Sequence, residues 1–227
     1  MLDRANTLAG SVAVGASVVF GDRVEAGQRL GAELVARGAP PGDTIVCGIP
    51  RGGVVVAAEV ARALDRPLRA VVARKVGAPG HEELAVGAVG PDGVAALDEE
   101  LLRRVGASPR WVEQAVARVR TEVEARVASL AGVVDAAAVR GHGVIVVDDG
   151  VATGSTATAV GRWLAHAGAA HRTLALPVGP PDTLARLQAD YDDVIALAAP
   201  EGFVAVGQFY RRFTQTTDDE VRHLLGS

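Results

Sequence analysis

The stretch Val144-Ile145-Val146-Val147-Asp148-Asp149-Gly150-Val151-Ala152-Thr153-Gly154-Ser155-Thr156 constrains this chain more than any other. Four consecutive β-branched aliphatics read as a strand buried on both faces, the kind found in a parallel sheet. The strand runs into two carboxylates and a short turn of small residues, and from Thr156 onward Ala157, Ala159, Val160, Trp163 and Leu164 read as a helix. A strand, a small-residue loop and a helix N-terminus make an anion site, because unpaired N–H groups and the helix dipole converge there. Thr153, Ser155 and Thr156 add hydroxyl donors, and Gly154 lets the backbone approach a phosphate closely. Two adjacent aspartates would repel a phosphate, so they need a partner of their own. Sugar hydroxyls or a bridging Mg2+ would supply one. A sugar phosphate carries both kinds of group.

On these residues the chain resembles the type I phosphoribosyltransferases, whose motif for phosphoribosyl pyrophosphate (PRPP) is a hydrophobic strand, two acids and a Thr-Gly-x-Thr loop. An ordinary capped helix would explain Ser155 or Thr156 but not the Asp148-Asp149 pair. The resemblance implies that Asp148 and Asp149 hold the ribose hydroxyls, and that Ala152, Thr153, Gly154, Ser155 and Thr156 hold the 5′-phosphate. It also implies Mg2+, bound through the substrate diphosphate and ribose hydroxyls.

A second strand–loop–helix unit precedes this one. Thr44 to Ile49 reads as a strand, Pro50-Arg51-Gly52-Gly53 as a turn, and Val54 to Leu64 as a helix. Backbone N–H groups bared by Gly52 and Gly53, with the Arg51 guanidinium, make a credible diphosphate cradle. A tight turn whose glycines only satisfy backbone geometry would look the same. The unit resembles the family's pyrophosphate loop, which would assign Arg51, Gly52 and Gly53 to the diphosphate.

The remaining elements alternate between strand and helix, the sign of a doubly wound parallel sheet. Phe20 to Arg37 reads as an amphipathic helix capped by Asp22, and Gly38 to Gly42 as a breaker run. Leu68 to Ala73 is expected to be a strand ending at Arg74-Lys75. Val76 to Glu83 follows as a Gly/Pro-containing loop, then Leu84 to Val89 and Val94 to Leu97 as a hairpin. The family carries its flexible catalytic loop at this place, so Arg74 and Lys75 would meet the diphosphate. His81, Glu82 or Glu83 would ride on the moving part, although an exposed loop imidazole is the plainer reading of His81. Ser108 and Pro109 start a long helix whose Val112, Val116, Val119, Val123, Val127 and Leu130 share a face. Its arginines, Arg118, Arg120 and Arg126, are expected in solvent, and Trp111 in packing. Arg172 to Val178 and Val194 to Ala198 complete the strands, and Thr217 to Glu220 has capping-box form. Phe203, Phe209, Tyr210 and Phe213 make half of the chain's eight aromatics. They would either cover a planar base or pin the C-terminus.

The expected architecture is thus one domain over residues 1–227, α/β, a doubly wound parallel sheet with a small accessory hood from the terminal segments. Its core covers about 40–200, its accessory segments 1–38 and 200–227, and an inserted helix 108–131. Hydrophobic content of 49% suffices for a core, but aromatics at 4% leave Ala, Val and Leu to fill it. A net charge of −4 and no basic run argue against nucleic acid. No apolar run would span a membrane. The lone Cys47 reads as a small buried hydrophobe and fits a reducing, cytoplasmic compartment.

In the family's reaction a ring nitrogen displaces pyrophosphate from the anomeric carbon. By this resemblance the partners are PRPP and a nitrogenous base, the setting is nucleotide salvage, the catalytic cations are Arg51, Arg74 and Lys75, and the assembly is a homo-oligomer, a homodimer in the simplest case. One position departs. Members acting on 6-oxopurines carry an aspartate before the Thr-Gly pair, thought to serve as general base, and here that position is Ala152. Two other readings stand beside a transferase: a non-catalytic PRPP sensor, and a different α/β enzyme using Asp148 or Asp149 as nucleophile or metal ligand.

Overall fold

The structure is a computed structural model. It describes residues 19–38, 43–130 and 132–226, and Glu83 without its side chain. The breaker run expected at Gly38 to Gly42 and the first half of the N-terminal accessory segment fall largely outside the described residues.

In chain order the elements are α1 (Arg23–Arg37), β1 (Thr44–Gly48), α2 (Gly52–Leu64), β2 (Leu68–Ala70), β3 (Arg74–Ala78), β4 (His81–Val89), β5 (Ala95–Leu97), α3 (Glu99–Arg104) and α4 (Pro109–Ala128). After these come α5 (Ala136–Val139), β6 (Gly143–Val147), α6 (Ser155–Ala167), β7 (His171–Val178), α7 (Pro181–Leu187), β8 (Asp193–Ala198), a 3-10 turn at Val206–Phe209, and α8 (Asp218–Leu224).

Five strands form a parallel sheet in the order β2-β1-β6-β7-β8. Chain order runs outward in one direction from β1 and in the other from β6, so the switch point lies between these two central strands. Their register pairs Gly48 with Val147, which launches the loops after β1 and β6 from the same level. β6 is buried along Val144–Val147, as its aliphatic run requires. One face of the sheet packs against α6 through Trp163, Val160 and Leu164. The other packs against α1 and α2 through Leu30, Leu34, Val56 and Val60. These two helices lie very close, because a Cβ at Gly27 would sit 2.7 Å from Val56 O and one at Gly31 2.7 Å from Ala63 Cβ. Cys47 is fully buried, and desolvation pushes its thiol up to about 12, so it is packing and not a nucleophile.

The second layer corrects the expected loop. Val76 to Glu83 is not irregular: β3, β4 and β5 form a three-stranded antiparallel sheet, with Pro79-Gly80 as the two-residue tip between Ala78 and His81. The Gly and Pro that suggested a loop mark this turn and a register shift at Gly77, where a Cβ would meet Glu82 O at 2.5 Å. The strand expected over Leu68 to Ala73 stops at Ala70, and Val71 to Ala73 continue as buried backbone. Helix α4 carries the apolar stripe read from its valines and lays Val116, Val119 and Val123 on Val76, Val86 and Val89. Two of its arginines are not simply solvated: Arg120 Nε donates to Gly93 O (2.9 Å) and Arg126 to Asp218 (2.7 Å). Trp163 ties the two layers together. It is fully buried, lies under Gly90, where a Cβ would come within 1.9 Å of its ring, and donates from Nε1 to Asp92 (3.2 Å).

Candidate functional site at the switch point

The helices differ in how their first turns are capped. The side chains of Asp22, Asp98, Ser108, Asp135 and Thr217 cap α1, α3, α4, α5 and α8 in turn. The helices that directly follow strands β1, β6 and β7 lack any such bond: Arg51 precedes α2, Gly154 precedes α6 and Pro180 precedes α7. At these three starts the partners of the first turn are local: the Ser155 amide donates to Thr153 Oγ1 at 3.4 Å, the Val54 and Thr183 amides donate to the carbonyls of Arg51 and Pro180, and Pro181 has no N–H.

Gly154 adopts φ 77°, and α6 begins directly after it. Thr153 and Thr156 are exposed, and Thr153 Oγ1 and Ser155 Oγ lie 3.0 Å apart. The loop is braced from below, since Thr183 donates to Ala152 O (2.9 Å). Ser155 and Thr156 line a cavity on one side of the loop, and the Thr153 hydroxyl is held against Ser155.

The acid pair lies at the start of this loop. Asp148 Oδ1 accepts from the Asp149 amide at 2.9 Å, and Asp149 Oδ2 accepts from Arg23 Nε at 2.6 Å. Burial raises the Asp148 carboxyl well above the usual range, and the neighbouring Asp149 charge adds to this. Burial likewise raises Asp149, while the Arg23 guanidinium pulls it back. Such a pair gains from an incoming hydroxyl or cation.

Gly52 and Gly53 have a concrete reason to be glycine. A Cβ at Gly52 would lie 1.9 Å from Asp149 Oδ2, and one at Gly53 2.7 Å from Val147 O. The first loop therefore presses directly on the acid pair. The Pro50–Arg51 peptide between them and β1 is cis. The Arg51 side chain turns toward Asp218, Nε to Oδ1 3.9 Å, and is 41% exposed.

The predicted cations fall into two groups. Arg74 and Lys75 line a cavity of about 540 Å³ together with Ser155, Thr156, Trp111 and Arg118, while Arg51 lies on the other loop. Arg74 Nε is 3.4 Å from Glu122 on α4, an exposed pair that water screens. Trp111 packs against the core between α4 and the antiparallel sheet, as expected, and also lines this cavity. His81 and Glu82 are exposed on the β3–β4 hairpin. His142 sits in the turn before β6 with Nδ1 3.0 Å from Arg140 O.

The sequence reading missed Arg23, Tyr210 and the α4 side of the cavity. Arg23 donates from Nη1 to Thr214 O (2.7 Å) and stacks its guanidinium 3.9 Å from the Phe213 ring centroid. Tyr210 donates to Asp149 O at 2.6 Å and packs on Phe20. The tail aromatics therefore pin the terminal segments to each other and to the acid pair.

This arrangement defines a class: a doubly wound α/β protein in which the loops after its two central strands meet at a pair of acids beside a helix N-terminus. Residues 23–212 match the phosphoribosyl transferase domain family. The chain belongs to that family. It is 40% identical over 203 residues to a protein present in two strains of Mycobacterium tuberculosis that carries the provisional name phosphoribosyl transferase. The aligned region is 89% of this chain but 45% of theirs, so the chain spans about half the length of these relatives. The crystal structure of TT1426 from Thermus thermophilus superimposes with a TM-score of 0.81 at 39% identity, covering 91% of this chain and 97% of that one.

Proposed function

We propose that the chain transfers the 5-phosphoribosyl group from PRPP to a nitrogenous base, releasing pyrophosphate. The observation that carries this reading is the uncapped α6 N-terminus, with Thr153, Ser155 and Thr156, beside the Asp148-Asp149 pair. A 5′-phosphate fits the former and ribose hydroxyls the latter. Gly52 and Gly53, with Arg51, receive the diphosphate from the adjacent strand end, and Arg74 and Lys75 close on it from the hairpin. The protein's contribution is alignment and charge stabilisation of the departing diphosphate, with water kept from the reacting carbon.

Mg2+ fits this donor set through the substrate. Among the described residues no group of three or more His, Cys, Asp or Glu side chains gathers to cage a metal. Two carboxylates, one of them bonded to Arg23, suit a hard cation that keeps substrate oxygens and water as ligands. Bound that way, through the diphosphate and ribose hydroxyls, the ion would neutralise the leaving group. Ala152 offers no carboxylate to a purine ring, which favours an acceptor other than a 6-oxopurine. A cytoplasmic homo-oligomer working in nucleotide salvage accords with this reading.

The test is pyrophosphate release from PRPP and Mg2+ against a panel of purines, pyrimidines and small nitrogen heterocycles, with Asp148→Asn/Asp149→Asn as the blank. Release with one base establishes the transfer and names the acceptor. Tight PRPP binding with silence across the panel would favour a sensor. Loss of both would overturn the assignment.

A further inference from the structure

The ends of the described chain converge on one residue of the acid pair. Phe20 N donates to Phe209 O (2.8 Å), Arg211 N to Phe20 O (2.8 Å) and Arg212 N to Gly21 O (2.9 Å), so the segment before α1 and the tail run as a short parallel ladder. From the tail side of this ladder, Tyr210 bonds the Asp149 carbonyl. From the α1 side, Arg23 bonds the Asp149 carboxylate. Arg23 is itself fixed at two further points, the Thr214 carbonyl and the Phe213 ring. Its side chain is 12% exposed and that of Asp149 15%. Gly52 has no side chain to intrude between them, since a Cβ there would sit 2.6 Å from Arg23 Nε.

Two adjacent carboxylates beside a phosphate subsite pose an electrostatic problem, because each negative charge raises the energy of the incoming anion and of the other acid. A guanidinium held on one oxygen of one acid, against the loop at Gly52, offsets part of this charge. We propose that Arg23 is the positioning residue of the acid pair. It fixes the orientation of the Asp149 carboxylate through Oδ2 and cancels one of the pair's two charges, so that the pair accepts the ribose diol of a sugar phosphate. The tail, through Thr214 and Phe213, holds Arg23 in place. This inference rests on the ribose reading of Asp148 and Asp149.

The experiment compares wild type, Arg23→Ala, Arg23→Lys and Phe213→Leu by calorimetric titration with PRPP in Mg2+, by melting temperature, and by KM for PRPP and kcat with the acceptor the panel identifies. Arg23→Ala should weaken PRPP binding and raise its KM by about 10–100-fold, the loss typical when the partner orienting a ligand group is removed. kcat should change much less. Arg23→Lys keeps the charge but cannot span Asp149 and Thr214 together, so it should recover part of the affinity. Phe213→Leu should fall between Arg23→Lys and wild type. A merely structural Arg23 would lower the melting temperature and the active fraction while leaving KM alone, and that result overturns the proposal. So does tighter PRPP binding by Arg23→Ala, which would make Arg23 a competitor for the site. If Arg23→Ala does not fold, wild-type affinity in a folded Arg23→Lys and Phe213→Leu overturns it equally. A wild-type protein that binds no PRPP sinks the ribose reading itself, whereas wild-type binding with unaffected variants sinks only the role of Arg23.

Discussion

Gly52→Ala adds one methyl group and no charge, and it strikes the contact on which the proposed site depends. The new Cβ would lie 1.9 Å from Asp149 Oδ2, whereas ordinary contact begins at 3.4 Å, so the carboxylate must retreat by about 1.5 Å. It has little freedom to do so, because Oδ2 is bonded to Arg23 and the Asp149 carbonyl to Tyr210. Overpacking of this kind costs roughly 1–3 kcal/mol. For a chain of this size each kcal/mol lowers Tm by about 2–4 °C, which sets the expected fall at roughly 2–12 °C. The loss of binding should be larger in proportion, since a misplacement of about 1 Å at a reacting site costs on the order of a hundredfold. Thermal melts and calorimetric titration with PRPP read the two effects separately. Gly202→Ala is the control, for a Cβ there meets nothing within 4 Å, and both readouts should stay at wild type. A Gly52→Ala protein with wild-type affinity would refute the argument that loop β1–α2 and the acid pair work as one unit.

Three further outcomes follow from the same geometry. The raised carboxyls of Asp148 and Asp149 bind protons more tightly in the folded than in the unfolded chain. Their contribution to stability is therefore best below the unfolded carboxylate value of about 3.9 and falls as pH rises through the folded values. Asp148→Asn should flatten that slope and raise Tm at neutral pH while weakening PRPP binding, and a steeper slope in pH-dependent melts would contradict the account. Glu122→Gln frees Arg74 of its 3.4 Å partner and should tighten binding of inorganic pyrophosphate modestly; unchanged affinity would remove Arg74 from the diphosphate. Trp163→Ala should cost about 3–5 kcal/mol and, in hydrogen exchange, loosen the Gly90 to Gly93 turn before the central sheet, whereas uniform loosening would deny Trp163 its role as the tie between layers.

The sequence displayed its local chemistry well. The aliphatic run Val144–Val147 announced a central buried strand because only a strand covered on both faces tolerates it. Asp22, Ser108 and Thr217 announced helix starts because a cap is a contact between residues three apart. Long-range contacts left no such trace. Nothing in the pattern around Arg23 points to an acid 126 positions away, and Phe213 gives no hint that a guanidinium lies on its ring. The Gly27 and Gly31 pair on α1, four residues apart, did carry a signal of close helix packing that went unused. At Val76 to Gly80 the local signal misled, because Pro and Gly mark the tip of a tight hairpin as readily as an irregular loop.

The distribution of stability across the molecule argues for where its function lies. A side-chain cap is worth about 1 kcal/mol, and α1, α3, α4, α5 and α8 each take one. α2, α6 and α7 forgo it, and these three follow directly from β1, β6 and β7 at one rim of the sheet. At that same rim two like charges sit side by side against the burial that raises them both. Each choice leaves the folded chain less stable than a simple alternative would, such as a serine cap or an Asn in place of Asp. Random drift would scatter such losses over the surface. On the proposed function, an anion at the α2 and α6 N-termini and a diol on the acid pair would offset these losses when the ligand binds.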